Sequence, residues 1–257
     1  MNSTHPPSAS MPPSMPALPI APDLAPLGEG PGEREPIASV VTTVEALLRQ
    51  PRRVMYQLRQ SHSGWLLGVM ALVGLVCSLV YGVVVGSFSM GEQLWAAPVK
   101  IAAGLMISAL ICLPSLCIFA CLSGSRAKLA EMCGLAAGFV MLMTLLLIGF
   151  APVAWLFSQS TQSVAWMGAL HLVFLLIATA FGLRFLLAGF AHSQARSRAG
   201  LYTWIVIFML VVLQMTTALR PLVGTAESFL PKEKRFFLAH WGECLKAEPQ
   251  PPLSPSR

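Results

Sequence analysis

Between Trp65 and Leu219 the chain is almost unbroken lipid-compatible sequence, divided into five apolar runs, and the few basic residues between them fall nearly all on alternate connections. A helix needs about 20 apolar residues to cross ~30 Å of hydrocarbon. Trp65 to Gly86, Ile101 to Leu122, Cys133 to Phe157, Trp166 to Phe190 and Leu201 to Leu219 all reach that length. The pattern predicts an all-α polytopic membrane bundle of five transmembrane helices. Only 11% of the 257 residues are charged, less than half the share a soluble domain carries, so a water-facing core would lack polar cover. Pro152 interrupts the third run and the linker 158–165 carries no charge, which leaves a re-entrant hairpin there as the alternative to two full crossings.

Basic residues near the ends of the runs set the expected orientation, because cytoplasmic loops retain Lys and Arg. Arg49, Arg52, Arg53 and Arg59 precede the first run, Arg126 and Lys128 lie in the second connection, and Arg196 and Arg198 in the fourth. The first connection has only Lys100 and the third has none. The count predicts a cytoplasmic N-terminus and an extracytoplasmic C-terminus. Arg220, Lys232, Lys234 and Arg235 after the last run point the other way. The formal charge of +6 has no long basic patch with interleaved aromatics, so lipid headgroups rather than nucleic acid are the expected partner.

The ends differ from the middle. Ten prolines between Pro6 and Pro36 predict a disordered, polyproline-like tail over residues 1–36. Nothing in it looks like a cleaved signal peptide, so the first membrane helix is expected to act as its own insertion signal. Over 37–60, Val44, Leu47 and Leu48, then Val54, Met55 and Leu58 beyond Pro51, recur at helical spacing among the arginines. Either two short helices on an anionic leaflet or plain basic flanking sequence fits this, with Arg52 and Arg53 as interfacial anchors in both. After Arg220 and Pro221, residues 231–246 put Phe236, Phe237, His240, Trp241, Cys244 and Leu245 on one helical face beside basic residues. An extracytoplasmic interfacial helix is expected there, anchored by Arg220 and Trp241, with docking of the aromatic face against the loops as the alternative.

Inside the membrane the polar inventory is thin. The one Asp is Asp23, in the tail, and no Glu lies deep in a run, which disfavours an ion-coupled carrier and an aspartyl membrane protease. No HExxH and no phosphate-binding loop are present, and Ser115, Ser123 and Ser125 have no His or Lys that spacing pairs with them. No enzyme activity and no cofactor are expected. By depth, His171, Gln214, Thr216 and Thr217 could meet in an intramembrane polar cluster, either a ligand or proton-sensing site or an interhelical hydrogen bond. Arg184, near the inner end of the fourth run, reads as an anchor reaching the headgroups. Gly64 and Gly68, Gly82 and Gly86, and Gly134 and Gly138 are spaced for close helix packing. Pro114, in mid-span, is expected to bend or break its helix. Cys117 and Cys121 share a face but make a poor metal site without harder ligands, and no metal is expected.

Leu113-Pro114-Ser115-Leu116 through Phe119 to Leu122-Ser123-Gly124-Ser125-Arg126, then Phe150-Ala151-Pro152-Val153-Ala154-Trp155, resemble the bacterial members of the Yip1 domain superfamily. The likeness covers roughly Val44 to Leu219. It implies a five-helix architecture with a cytoplasmic N-terminal tail in a bacterial cytoplasmic (inner) membrane. Eukaryotic relatives bind small GTPases in vesicle trafficking, but their Asp-Leu-Tyr-Gly-Pro signature is absent here. The expected function is a non-enzymatic assembly, scaffold or trafficking-type factor with a membrane-protein partner or self-association. A substrate-binding membrane component, channel or transporter subunit, lined by Pro114, His171 and Gln214, is the alternative.

Overall fold

The computed structural model describes residues 26–218, except 61–62, 88–92, 126, 161–163 and 194–198 and the side chains of 93–94, 164–165 and 216–218. The described residues are helical and turn-rich, with no strand among them. Two short helices, α1 (Val40–Arg49) and α2 (Pro51–Leu58), precede five longer ones: α3 (Gly64–Ser87), α4 (Gln93–Leu122), α5 (Leu129–Ser160), α6 (Val164–His192) and α7 (Ala199–Ala218).

α1 begins where Ser39 caps it: the Ser39 hydroxyl accepts from the Thr42 amide at 3.1 Å while Thr42 Oγ1 accepts from the Ser39 amide at 3.0 Å. This is a capping box with Thr in the place usually taken by Glu or Gln. Pro51 ends α1 and starts α2, since a proline tolerates the first helical position but denies its neighbour the helical conformation. Buried Thr43, Ala46 and Leu47 of α1 and Val54, Met55 and Leu58 of α2 turn toward the longer helices. Residues 40–58 thus form two short helices, packed by these residues on the longer ones.

Four of the longer helices, α3 to α6, are long and apolar enough to cross a membrane. α7 is apolar but shorter over its described side chains, Ala199–Met215. Pro98 and Pro114 lie inside α4 and Pro152 inside α5, and both helices run on through them. The expected break at Pro114 does not occur. α5, at 32 residues, is about 48 Å long at 1.5 Å per residue, and it and the 29-residue α6 are each long enough to cross a bilayer.

Residue pairing gives the helix directions. Leu135 meets Gly189, Phe139 meets Gly182, and Phe150 stacks on Phe174 with centroids 4.7 Å apart, so α5 and α6 are antiparallel. Met70 meets Gly138 and Gly74 meets Met141, so α3 and α5 run the same way. Trp204 donates its indole N–H to the Cys112 carbonyl at 2.8 Å and Gly200 sits on Phe119, so α7 runs antiparallel to α4. α5 is the central helix, with 61% of its apolar window buried against 28% for α4. Its Phe139 is fully buried in edge-to-face contact with Trp204 and Phe208 of α7. Gly138 therefore does serve packing, against Phe185 and Met70. Gly134 receives Leu58 of α2, while Gly64 and Gly68 face open space.

Candidate functional site

The polar chemistry gathers at two places. The first is the bundle end that carries α1 and α2, where the last part of the proline-rich segment is folded rather than free. Gly28 and Gly32 take left-handed conformations (φ 93° and 76°) that let residues 26–36 turn back on themselves. The buried Glu33 carboxylate receives the Gly28 amide at 2.6 Å and the Arg52 guanidinium. Arg52 also donates to the Pro26 carbonyl at 3.1 Å, and its Nη1 lies 3.4 Å from Nε2 of His192 on α6. Arg53 donates to the Glu35 and Pro36 carbonyls, both at 3.1 Å. Arg59 donates to the His192 carbonyl at 2.6 Å and stands 3.9 Å from Glu131 of α5.

Burial alone would push the Glu33 carboxyl up. The bond and charge of Arg52, with the amides of Gly28 and Gly30, outweigh it and hold the group below its ordinary value. Arg52 and Arg53, expected as headgroup anchors, are thus mainly protein ligands. The reason is that carbonyls and a carboxylate of residues 26–36 lie within hydrogen-bonding reach of both guanidinium groups. Behind them Leu27, Met55, Leu58, Glu131 and His192 border an open crevice with room for about one water molecule, far below the size of a ligand site.

The second place is inside the bundle, near the opposite end. Tyr81 Oη of α3 lies 2.7 Å from Nδ1 of His171 on α6, the rings edge to face at 5.7 Å. The buried Nε2 of His171 has no hydrogen-bond partner among the described residues. Its expected companions lie elsewhere: Gln214 is exposed on α7, which packs on α4 rather than on the His171 face, and the side chains of Thr216 and Thr217 fall outside the described residues. Pro114 is on α4, in the half nearer α1 and α2, and does not join them. Lys100, expected in a connection, is in α4 and only 6% exposed, because that helix starts eight residues earlier than its apolar run.

Arg184 is exposed on α6 with its guanidinium 5.3 Å from the Phe181 ring centre. Arg220, Trp241 and the segment 231–246 lie outside the described residues. Ser115 donates to the Cys112 carbonyl and Ser125 to the Ser193 hydroxyl, ordinary helix and loop bonds. Among the described residues no three His, Cys, Asp or Glu side chains are arranged to hold a metal.

No protein-family model, curated protein or solved structure matches this chain. The site must be read from its own chemistry.

Sequence reasoning missed Glu33, Glu131, His192 and Tyr81. A signal for Glu33 was present: Asp23, Glu29, Glu33 and Glu35 are the acidic residues of a proline-rich stretch that is followed by an arginine-rich one.

Proposed function

We propose that this chain is a five-span inner-membrane protein, cytoplasmic at its N-terminus and extracytoplasmic at its C-terminus, acting as a non-enzymatic assembly or scaffold factor of Yip1-like type. α7 supports the fifth crossing. Its 20 residues run antiparallel along α4, and about 30 Å of helix matches the hydrocarbon thickness. Exposed Trp95, Trp155 and Trp166 ring one end of the bundle, and exposed Trp65 and Tyr202 the other, in the manner of interfacial belts. Arg49, Arg52, Arg53, Arg59 and Lys128 gather at the Trp65 end, the side expected to face the cytoplasm.

The observation that carries the scaffold reading is the seating of residues 26–36 on α2 and α6 through Arg52 and Arg53. Such seating fixes the point of the membrane domain from which the remainder of the proline-rich sequence extends. A filled bundle centre, with Phe139, Met141, Met143, Trp204 and Phe208 buried, supports this over a solute path. Photocrosslinkers placed at Ser8, Ser14 and Leu24 of the full chain in its native membrane test it. One discrete membrane-associated protein crosslinked through the tail, or a second copy of the chain, is the expected result. Solute or ion flux through the purified chain in vesicles, abolished by His171→Ala, with no crosslink from the tail, would favour the transporter reading instead.

A further inference from the structure

α1 divides its circumference into three unbroken arcs. At about 100° per residue, buried Thr43, Ala46 and Leu47 fill one, which faces the longer helices. Val40, Val41, Val44 and Leu48 fill the next, and Thr42, Glu45 and Arg49 the third. Apart from half-buried Val44, the apolar arc is open: Val41 is 75% exposed, Leu48 51% and Val40 46%. The polar arc is open too, with Glu45 and Arg49 paired at its surface. α2 differs, since none of its residues is exposed. The longer helices cover Val54, Met55 and Leu58, and residues 26–36 engage Arg52 and Arg53.

The depth of this helix pair follows from its neighbours. Gly74 of α3 meets Met141 of α5 and the two helices run the same way, so seven residues back along both, Leu67 lies level with Gly134. Leu58 of α2 packs on Gly134. The end of α2 is therefore two residues from the level of exposed Trp65, the side chain placed above at the lipid–water boundary. α1 touches α3 as well, and α3 begins at Gly64, so that contact falls at the Trp65 level or deeper in the bundle. Among the described residues nothing covers the apolar arc. Its four side chains fall far short of the ~800 Å² per partner that a stable protein interface buries.

We propose that α1 is an in-plane membrane anchor: it lies in the angle between the bundle and the leaflet, with Val40, Val41 and Leu48 in the acyl-chain boundary and Glu45 and Arg49 among headgroups and water. Each of its three arcs then meets a medium that matches it. The partner is the hydrocarbon edge of the leaflet, and no particular headgroup is required. The inference rests on the bundle crossing a bilayer and is independent of the scaffold role and of the compartment that the cap faces.

Photocrosslinking tests it. p-Benzoylphenylalanine is placed at Val41, Leu48, Glu45, Arg49 or Leu110 of the full chain, one position at a time. Each variant is irradiated in nanodiscs of phosphatidylcholine and phosphatidylglycerol and read by intact mass. Leu110, 69% exposed near the middle of α4, calibrates the yield of lipid adduct at a bilayer-facing position. Val41 and Leu48 are expected to give lipid adducts at a yield close to that of Leu110, and Glu45 and Arg49 several-fold fewer. With Leu110 labelling lipid, adducts at Val41 and Leu48 no more frequent than at Glu45 and Arg49 overturn the proposal. Adducts from Val41 and Leu48 to protein in place of lipid, within the chain or to a second copy, overturn it equally. Failure at Leu110 as well would overturn the crossing of the bilayer, and the anchor with it.

Discussion

The bundle and the cap on its N-terminal end are held by different forces. In the bundle, α3, α5 and α6 meet through glycine notches and aromatic rings, and the interhelical hydrogen bonds among the described residues include Tyr81 to His171, Trp204 to Cys112, and Thr179 to the sulfurs of Met143 and Met209. Lipid is as apolar as leucine, so contact quality, rather than escape from water, holds these helices together. In the cap, Arg52, Arg53 and Arg59 bind carboxylates and carbonyls from three separate segments. Water reaches this surface, and geometry and partial burial decide what each pair is worth. The bundle should therefore fail through steric change, and the cap through loss of charge.

The sharpest break should come at Gly82. A Cβ there would collide with the backbone of Pro98, which cannot swing aside as a side chain does. Gly82→Ala is expected to cost about 3 kcal/mol or more, read as loss of the folded fraction by steric trapping in bicelles. Gly68, with nothing within 4 Å, provides the contrast, and Gly68→Ala should fall within about 0.5 kcal/mol of the parent chain.

Next is Phe139, fully buried between Gly182, Trp204 and Phe208. Phe139→Ala opens a cavity at the crossing of α5, α6 and α7, and is expected to cost about 3 kcal/mol in the same assay. A loss as small as that of a lipid-facing change such as Leu110→Ala would show that packing does not hold the bundle.

In the cap, Glu33→Gln leaves Arg52 without its anion in a mostly covered site, its side chain 20% exposed. A cost of about 2 kcal/mol to seating of residues 26–36 is expected, measured by hydrogen exchange, with the bundle unchanged. Because the Glu33 carboxyl is held below its ordinary 4.5, its contribution is complete above that pH and disappears as acid takes the solution through the lower, folded-state value. Glu45 and Arg49 form an i,i+4 pair with side chains 58% and 76% exposed. Glu45→Gln is expected to shift nothing by more than about 0.5 kcal/mol.

What the sequence carried follows the same division. Apolar run length placed α3 to α7 because hydropathy is local. It misplaced the start of α4, since Lys100 and Pro98 look like a connection but lie inside a helix, where Pro98 packs against Gly82. The split at Pro51 was legible from one residue. Glycine spacing was ambiguous: Gly134 and Gly138 face Leu58 and Phe185, while the identically spaced Gly64 and Gly68 face nothing. Spacing gives a face, not the neighbour on it. The cap was illegible as a site because its partners are far apart in the chain, Arg52 with Glu33 and with His192 across 140 residues. His171 was found, but depth alone paired it with Gln214, whereas the packing of α3 against α5 brings Tyr81 to it.

The central claim is that an apolar bundle crosses the bilayer with its arginine cap on the cytoplasmic face. Paired cytoplasmic and extracytoplasmic reporters fused after Gln60, Gly91, Arg126, Gln162, Arg196 and Arg257 of the chain test this most directly. The account predicts cytoplasmic signal at Gln60, Arg126 and Arg196, and extracytoplasmic signal at Gly91, Gln162 and Arg257. Both termini reporting the same compartment, or Gly91 and Arg126 on one side, would contradict it.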